Sequence, residues 1–313
     1  MTFLTGTLLL AVVTALACAL PGTFVVLRRE SMLVDAIAHA VLPGIIVGYF
    51  FTRNLDSPWL ILGAAAAGLV VMLGSQWLSD SGLIAGDAPQ GLVFPALFSV
   101  GVIMVTLNFA NVHLDTDAVL VGDLNLAAFG HLTVGGTSIG PPYLYVMLAV
   151  LALNIAFLAA FHRQLTAATF DGPFATILGI PVKTVNTAFM FLVSVTVTAA
   201  FNAAGAILVI ALVVVPAATA HLLTTRLSTM FAVTAAIAVA GGIAGFWIAY
   251  AVNAATSAAM SVSYGAIFVV THLGTRLLRS RRRAAVAGGS ANDESVASRT
   301  AAASDGAAAT RGA

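Results

Sequence analysis

Long apolar runs recur along this chain and limit what it can fold into. Residues 4–27, 141–161 and 228–250 are almost free of charge, and about 20 consecutive apolar residues allow an α-helix to cross the hydrocarbon core of a bilayer. Only 8% of the residues are charged and the mean hydropathy is +1.03, whereas roughly a quarter of the residues of a soluble domain are charged. The sequence therefore predicts an all-α, polytopic membrane protein.

The apolar runs also predict the number of membrane spans. The candidates are 4–27, 32–51, 59–79, 91–110, 141–161, 184–200, 203–224, 228–250 and 262–278, which makes nine. The number falls to eight if the two short spans around Phe201 form one broken element. We thus predict a transmembrane domain over 1–280 and, since 281–313 is small, polar and without periodic apolar residues, a disordered cytoplasmic tail.

Basic residues predict the orientation of the chain in the membrane. Loops that carry an excess of Lys and Arg remain on the cytoplasmic side. With the N-terminus outside and the C-terminus inside, Arg53 is the one basic residue among the 13 that falls outside. The single cysteine, Cys18, lies in an apolar run, and one cysteine excludes an internal disulfide or a zinc site built from cysteines.

An acid and a histidine interrupt the second apolar run, "SMLVDAIAHAVLPGIIVGYF". Asp35 and His39 are four residues apart, so they share one helix face, and a carboxylate with an imidazole suits Mn²⁺, Zn²⁺ or Fe²⁺. Pro43 has no N–H, so the carbonyl of His39 loses its helical hydrogen bond and the helix is expected to bend there. An aspartate at the centre of a membrane helix costs about 2.5–3.5 kcal/mol, which favours a functional role.

Two interpretations of these polar residues remain open. Asp35 either binds a metal with His39 or pairs with Arg28 or Arg29 at the inner edge of the membrane. Similarly, Thr196 and its polar neighbours either line a polar path or form hydrogen bonds between helices.

Three segments, in this order, resemble the permease subunits of bacterial manganese, zinc and iron ABC importers, the ABC-3 family. They are "RRESMLVDAIAHAVLPGIIVGY", "TFDGPFATILGIPV" and "GAILVIALVVVPAATAHLLTTRL". The first resembles a family signature in which Asp-Ala-x-x-His-x-x-Leu-Pro-Gly follows a basic pair. The second is similar to the cytoplasmic Phe-Asp segment of the family, and the third to its run ending in Pro-Ala-Ala-Thr-Ala.

This resemblance implies a type II permease fold, like that of vitamin-B12 importers, in the bacterial cytoplasmic membrane. It implies a second permease chain, cytoplasmic ABC ATPase subunits and an extracytoplasmic metal-binding protein as partners. Asp35 and His39 then contact the transported metal, Mn²⁺ or Zn²⁺ with Fe²⁺ as a further candidate, and no cofactor is permanently bound. The chain is expected to be a non-catalytic transport subunit.

The segment 169–182 predicts a short amphipathic helix outside the membrane. Asp171 is placed near its start and Gly179 at its end, with Pro181 beyond, as start and stop signals predict. A surface linker helix is the simple interpretation. The resemblance implies instead a coupling helix that docks on the ATPase, with the contact residues Phe170, Asp171, Phe174, Ile177, Leu178 and Gly179.

An outer segment, "NVHLDTDAVLVGDLN", carries Asp115, Asp117 and Asp123. These acids predict either a negatively charged vestibule that raises the local cation concentration or an ordinary solvated loop.

Two absences narrow the function further. The chain lacks a G-x-x-x-x-G-K-[ST] loop, so we expect ATP hydrolysis on a separate chain. Its basic residues are too dispersed for a nucleic-acid site. The alternative function is a stand-alone, proton-coupled secondary carrier in which Asp35 relays protons.

Overall fold

The computed structural model describes residues 3–53, 59–84, 86–108, 124–129, 132–134 and 137–278. Asp115, Asp117, Asp123 and the predicted tail over 281–313 lie outside these residues, so the expectations about them stay predictions. The chain divides into two compact units, Met1–Phe268 and Val269–Ala313. The packing reported below lies within the first unit.

Eight helices of the described chain are long and apolar enough to cross a membrane. They are α1 (Phe3–Leu27), α2 (Ser31–Thr52), α3 (Trp59–Asp80), α4 (Ala88–Asn108), α6 (Pro142–Ala160), α9 (Val182–Leu223), α10 (Leu227–Val252) and α11 (Thr256–Leu278). The prediction of an all-α membrane bundle is confirmed.

Shorter elements connect these helices. Between α4 and α6 lie a short helix, α5 (Leu124–Ala128), and an antiparallel hairpin of β1 (Leu132–Val134) and β2 (Thr137–Gly140). Between α6 and α9 lie α7 (His162–Phe170) and α8 (Gly172–Ile177). The hairpin was not expected from the apolar pattern, since its strands are only three and four residues long.

The pair of short spans predicted around Phe201 is one element, α9, which spans 42 residues with a break at Gly205. The dihedral angles of Gly205 are φ 76° and ψ 167°, a region of backbone conformation that is essentially open to glycine alone. A straight helix of that length would measure about 63 Å, twice the thickness of a bilayer core. The break therefore divides α9 into two arms, 182–204 and 206–223.

Contacts along α1 show that the second arm turns back beside the first. The Phe189 ring lies 6.0 Å from the Phe24 ring, and Thr196, further along the first arm, is joined through Asn154 to the carbonyl of Ala17. The first arm thus runs antiparallel to α1. Val213 on the second arm is again beside Gly22, so the chain has reversed direction at the break.

The ends of the helices form two opposite ends of the bundle. One of them, here called the basic end, holds Arg28 at the end of α1, and its Nε donates a 2.9 Å hydrogen bond to the hydroxyl of Thr169 on α7. At the other end the Phe3 ring lies 5.1 Å from the Phe129 ring. Arg28 and Thr169 thus lie at one end of the bundle, and Phe3 and Phe129 lie at the other.

The last span starts at Thr256, six residues before the predicted start at residue 262, which was therefore wrong. The intervening residues include hydroxyl side chains, which lowered the hydropathy of the segment. In the structure Ser261 and Ser263 donate hydrogen bonds of 2.9 Å and 2.7 Å to the carbonyls of Ser257 and Ala259 in their own helix. Their polarity is satisfied internally, so the helix continues through them.

Candidate functional site

Asp35 and His39 lie on one face of α2, as their spacing predicts. The Nε2 atom of His39 is 3.6 Å from Oδ1 of Asp35, and each side chain is about one-third exposed, at 34% and 35%. This distance is longer than a hydrogen bond. Each side chain is therefore partly accessible from outside the chain.

The depth of the pair in the helix follows from its position in α2. The helix has 22 residues and is about 33 Å long, so Asp35 lies about 6 Å and His39 about 12 Å from its start. His39 is thus in the middle third of the span. A partly exposed imidazole and carboxylate at this depth are costly against lipid, and such groups face a bundle interior or a cavity.

The neighbouring helix α4 covers one side of His39. The imidazole stacks on the Phe94 ring at 5.4 Å between centroids and an interplanar angle of 20°. Further along α2, which is helical throughout despite Pro43, the proline ring lies against Gly101 of α4. The stacking favours one orientation of the imidazole plane.

The alternative pairing of Asp35 with an arginine is not what the described chain shows. Within the described residues, the ion-pair partner of Asp35 is His39. The Arg28 guanidinium lies 4.8 Å above the centre of the Phe189 ring, bonds Thr169 through Nε and has Glu30 as its electrostatic partner. The pair on α2 is consequently available for other ligands.

Asp35 and His39 of one chain are by themselves too few ligands for a stable transition-metal centre. No group of three or more His, Cys, Asp or Glu side chains comes together in the described residues. Divalent transition metals take four or more ligands. Asp35 and His39 offer one carboxylate and one imidazole, so any transition metal bound there needs further ligands from outside the chain.

The predicted helix on the basic end is present as α8. Asp171 caps its start, with Oδ1 accepting a 2.9 Å hydrogen bond from the amide of Phe174. Its end is a left-handed residue, Gly179 at φ +79°, followed by a 3.0 Å bond from the amide of Ile180 to the carbonyl of Ala175. Both sequence signals thus act as expected.

Large apolar side chains protrude from this segment into solvent. Phe174, Ile177 and Leu178 are 53%, 82% and 60% exposed, and Phe170 just before the helix is 64% exposed. The small Ala175 is the buried residue that holds α8 to the body. A cluster of exposed apolar groups of this kind is typical of a surface that contacts another protein or a membrane.

One polar residue was missed by the sequence reasoning. Asn154 is buried in α6 and donates hydrogen bonds to the carbonyl of Ala17 at 2.9 Å and to Oγ1 of Thr196 at 3.0 Å. It thereby links three helices, and Thr196 serves interhelical bonding rather than an open path. The sequence signal that could have revealed this role is a single amide side chain within an apolar run, since polar groups within membrane helices usually form hydrogen bonds with a neighbouring helix.

The chain belongs to the ABC 3 transport family, whose model matches residues 1–274. Among curated relatives, the "Manganese transport system membrane protein MntD" of Bacillus subtilis is 38% identical over 84% of this chain and 88% of its own length. The "Zinc transport system membrane protein TroD" of Treponema pallidum is 41% identical over 85% of this chain and 72% of its own length.

Two solved structures share the fold. The PsaBC complex from Streptococcus pneumoniae, solved with a Fab, has a chain with a TM-score of 0.71 and 24% identity, covering 87% of this chain and 91% of that one. A putative metal-chelate type ABC transporter in an inward-facing conformation gives a TM-score of 0.63 at 15% identity, over 86% of this chain and 85% of that one. The permease fold expected from the sequence is confirmed.

Proposed function

We propose that this chain is the membrane-spanning permease subunit of an ATP-driven importer of a divalent transition metal. Mn²⁺ and Zn²⁺ are the main candidates, with Fe²⁺ as a third. The observation that carries the proposal is the pair of Asp35 and His39. The two side chains are partly exposed on one face of a membrane helix, with His39 in its middle third, and they lie close to each other rather than to an arginine. The printed names of the manganese and zinc transport relatives support the metal class.

A second permease chain completes the site in this proposal. Two copies that face each other across α2 supply two carboxylates and two imidazoles, the four ligands that a transition metal needs. Carboxylate and imidazole release a metal more readily than a thiolate cage, and a conduit requires binding weak enough for the ion to leave. The pair is a transient site for the cargo and not a permanent cofactor site.

ATP is hydrolysed on a separate chain that docks at the basic end. The exposed apolar side chains of Phe174, Ile177 and Leu178 suit a groove on a cytoplasmic ABC ATPase by helix-in-groove docking. The basic end is then cytoplasmic, which agrees with the excess of Arg and Lys there. The N-terminus lies outside and the C-terminus inside, and an extracytoplasmic metal-binding protein delivers the ion near Asp115, Asp117 and Asp123.

Metal uptake tests the role of the pair. Asp35→Asn and His39→Ala chains, expressed with the ATPase at wild-type membrane levels, are assayed for uptake of radioactive Mn²⁺ and Zn²⁺. We expect a loss of about tenfold or more, since even the supports of a metal ligand contribute that much. Asp87→Asn, a change at an exposed acid near the start of α4, is the matched control and keeps wild-type uptake. Undiminished uptake in both pair variants contradicts the site.

The alternative of a proton-coupled secondary carrier makes a different prediction in the same cells. Such a carrier works without the ATPase chain and stops when a protonophore removes the proton gradient. The importer proposed here requires an intact Walker-A lysine in the ATPase and continues in the presence of the protonophore as long as ATP is maintained.

A further inference from the structure

A polar cavity of about 250 Å³ lies at the basic end of the bundle. It is lined by Glu30 and Leu33 at the start of α2, by the end of α3, by the start of α4 and by the first arm of α9. The function proposed above does not involve this cavity. Its lining combines apolar residues with a group of side chains that carry oxygen atoms.

Four of the residues that line this cavity each carry a buried oxygen atom that has no hydrogen-bond partner among the described residues. These atoms are Oε2 of Glu30, Oγ of Ser75, Oε1 of Gln90 and Oδ1 of Asn186. Ser75 is only 4% exposed. Buried polar atoms are nearly always paired, so four oxygens on one small cavity point to an occupant that they share.

The charges around the cavity favour a cation as that occupant. Glu30 and Asp80 both line it, and no basic side chain does so in the described part of the chain. Burial raises the pKa of Glu30, and the attraction of Arg28, which lies outside the lining, opposes this rise. Oxygen atoms of carboxylate, amide and hydroxyl groups are the ligands that hard divalent cations such as Mg²⁺ and Mn²⁺ prefer.

The cavity is separate from the pair of Asp35 and His39. Leu33 lines the cavity, and at about 100° per residue it lies about 200° around α2 from Asp35. The two polar regions are thus on opposite sides of the same helix. An ion in the cavity does not lie between the two chains of the proposed dimer.

We propose that this cavity is a binding site for a hard divalent cation, Mg²⁺ or Mn²⁺, ligated by Glu30, Ser75, Gln90 and Asn186. The ion ties the basic ends of α2, α3 and α4 to the first arm of α9. It is held within one chain and by oxygen atoms alone, which distinguishes it from cargo on the transport pair. The proposal does not depend on the proposed transport function.

Mn²⁺ binding to the purified full-length chain tests this site. The background is the double variant Asp35→Asn, His39→Ala, so that binding at the transport pair is removed whatever its role. Electron paramagnetic resonance counts bound Mn²⁺, and we expect one ion per chain. Titration with Mg²⁺ then shows which cation the site prefers. If millimolar Mg²⁺ displaces the bound Mn²⁺, the site is a general one for the cytosolic cation, and if it does not, the site is selective for Mn²⁺. Both outcomes are consistent with the proposal.

Substitutions in the same background locate the ion. Glu30→Gln is expected to weaken Mn²⁺ binding at least tenfold. Ser75→Ala is a smaller change and is expected to weaken binding several-fold, so it provides the test if the Glu30→Gln chain does not fold. Asp87→Asn, a nearby exposed acid outside the lining, leaves binding unchanged, and size-exclusion chromatography checks that each variant is folded. The proposal is overturned if the background chain binds no Mn²⁺, which leaves water as the occupant. It is also overturned if the cavity variants bind as tightly as the background, or if Asp87→Asn weakens binding as much as they do.

Discussion

At the residue scale, glycines decide how closely the helices of this bundle approach. A Cβ atom on Gly44 of α2 would meet the backbone of Ala64 on α3, and one on Gly22 of α1 would meet the backbone of Val213. In lipid there is little hydrophobic drive between helices, so close van der Waals packing must hold them together. The frequent Gly and Ala residues of the spans therefore have a packing role at specific crossings.

The crossing of α2 with α3 yields the first prediction. Gly44→Ala should lower the free energy of unfolding by about 1–3 kcal/mol, because the added methyl group must displace backbone rather than a flexible side chain. The measurement is unfolding of the purified chain in detergent. Gly265→Ala is the matched control, since nothing lies within 4 Å of its Cβ position, and equal effects of the two substitutions would contradict this account.

At the scale of elements, α9 shows how one residue changes the path of the chain. The turn-back of its second arm depends on Gly205, whose dihedral angles few other residues adopt. Both arms are apolar and helical. In the sequence around the break, this glycine is the one feature that distinguishes a helix that turns back from a continuous helix. The two short spans predicted around Phe201 are the two arms of this one broken helix, and the break lies four residues beyond Phe201.

Gly205→Ala is expected to strain this turn by about 1–3 kcal/mol and to reduce metal uptake, since α9 packs against α1, α2 and α3. Thermal unfolding and uptake at matched expression are the two measurements. Gly91→Ala in α4, a helical glycine with open space around it, provides the comparison. Normal stability and uptake of Gly205→Ala would show that the turn does not need glycine.

The surface of α8 yields a separate prediction about assembly. Ile177→Glu should abolish co-purification of the ATPase while leaving the stability of the permease unchanged, because the side chain is 82% exposed and packs on little of its own chain. Arg163→Glu on the neighbouring α7, also exposed, tests whether any new acid on this end has the same effect. Retained co-purification of Ile177→Glu would place the ATPase contact elsewhere.

At the scale of the whole molecule, the proposed dimer requires one face of the bundle to contact a second copy of the chain. The face that carries Asp35 and His39 is bounded by α4, a helix with only 6% of its span buried in the chain itself. A polar pair beside such an uncovered helix is the face on which the proposed second chain would pack. The proposed dimer covers both features with one contact.

Disulfide cross-linking tests this arrangement. His39→Cys chains treated with copper–phenanthroline in membranes should form a covalent dimer, because the two introduced thiols face each other across the proposed pathway. The wild-type chain carries one cysteine, Cys18, which is 0% exposed, so it should remain monomeric on the same gel. Absence of the dimer in His39→Cys would argue against a pathway between two copies of this chain.

The sequence by itself determined the features that depend on neighbouring residues. The apolar length of the spans, apart from the start of the last one, follows from a few consecutive residues. So do the shared face of Asp35 and His39 and the start and end of α8 at Asp171 and Gly179. Helix periodicity and capping act within such distances, so these expectations agree with the structure. The identity of the family also followed from three local motifs.

Only the tertiary structure decided the features that join distant parts of the chain. Asn154 reaches Thr196 and Ala17, the second arm of α9 returns to Gly22, and the oxygen-lined cavity draws on four different helices. No short stretch of sequence contains these relationships, because they depend on how helices far apart in the chain pack together. In a membrane, where every span is apolar, the pattern of hydrophobicity carries little information about which helix lies beside which.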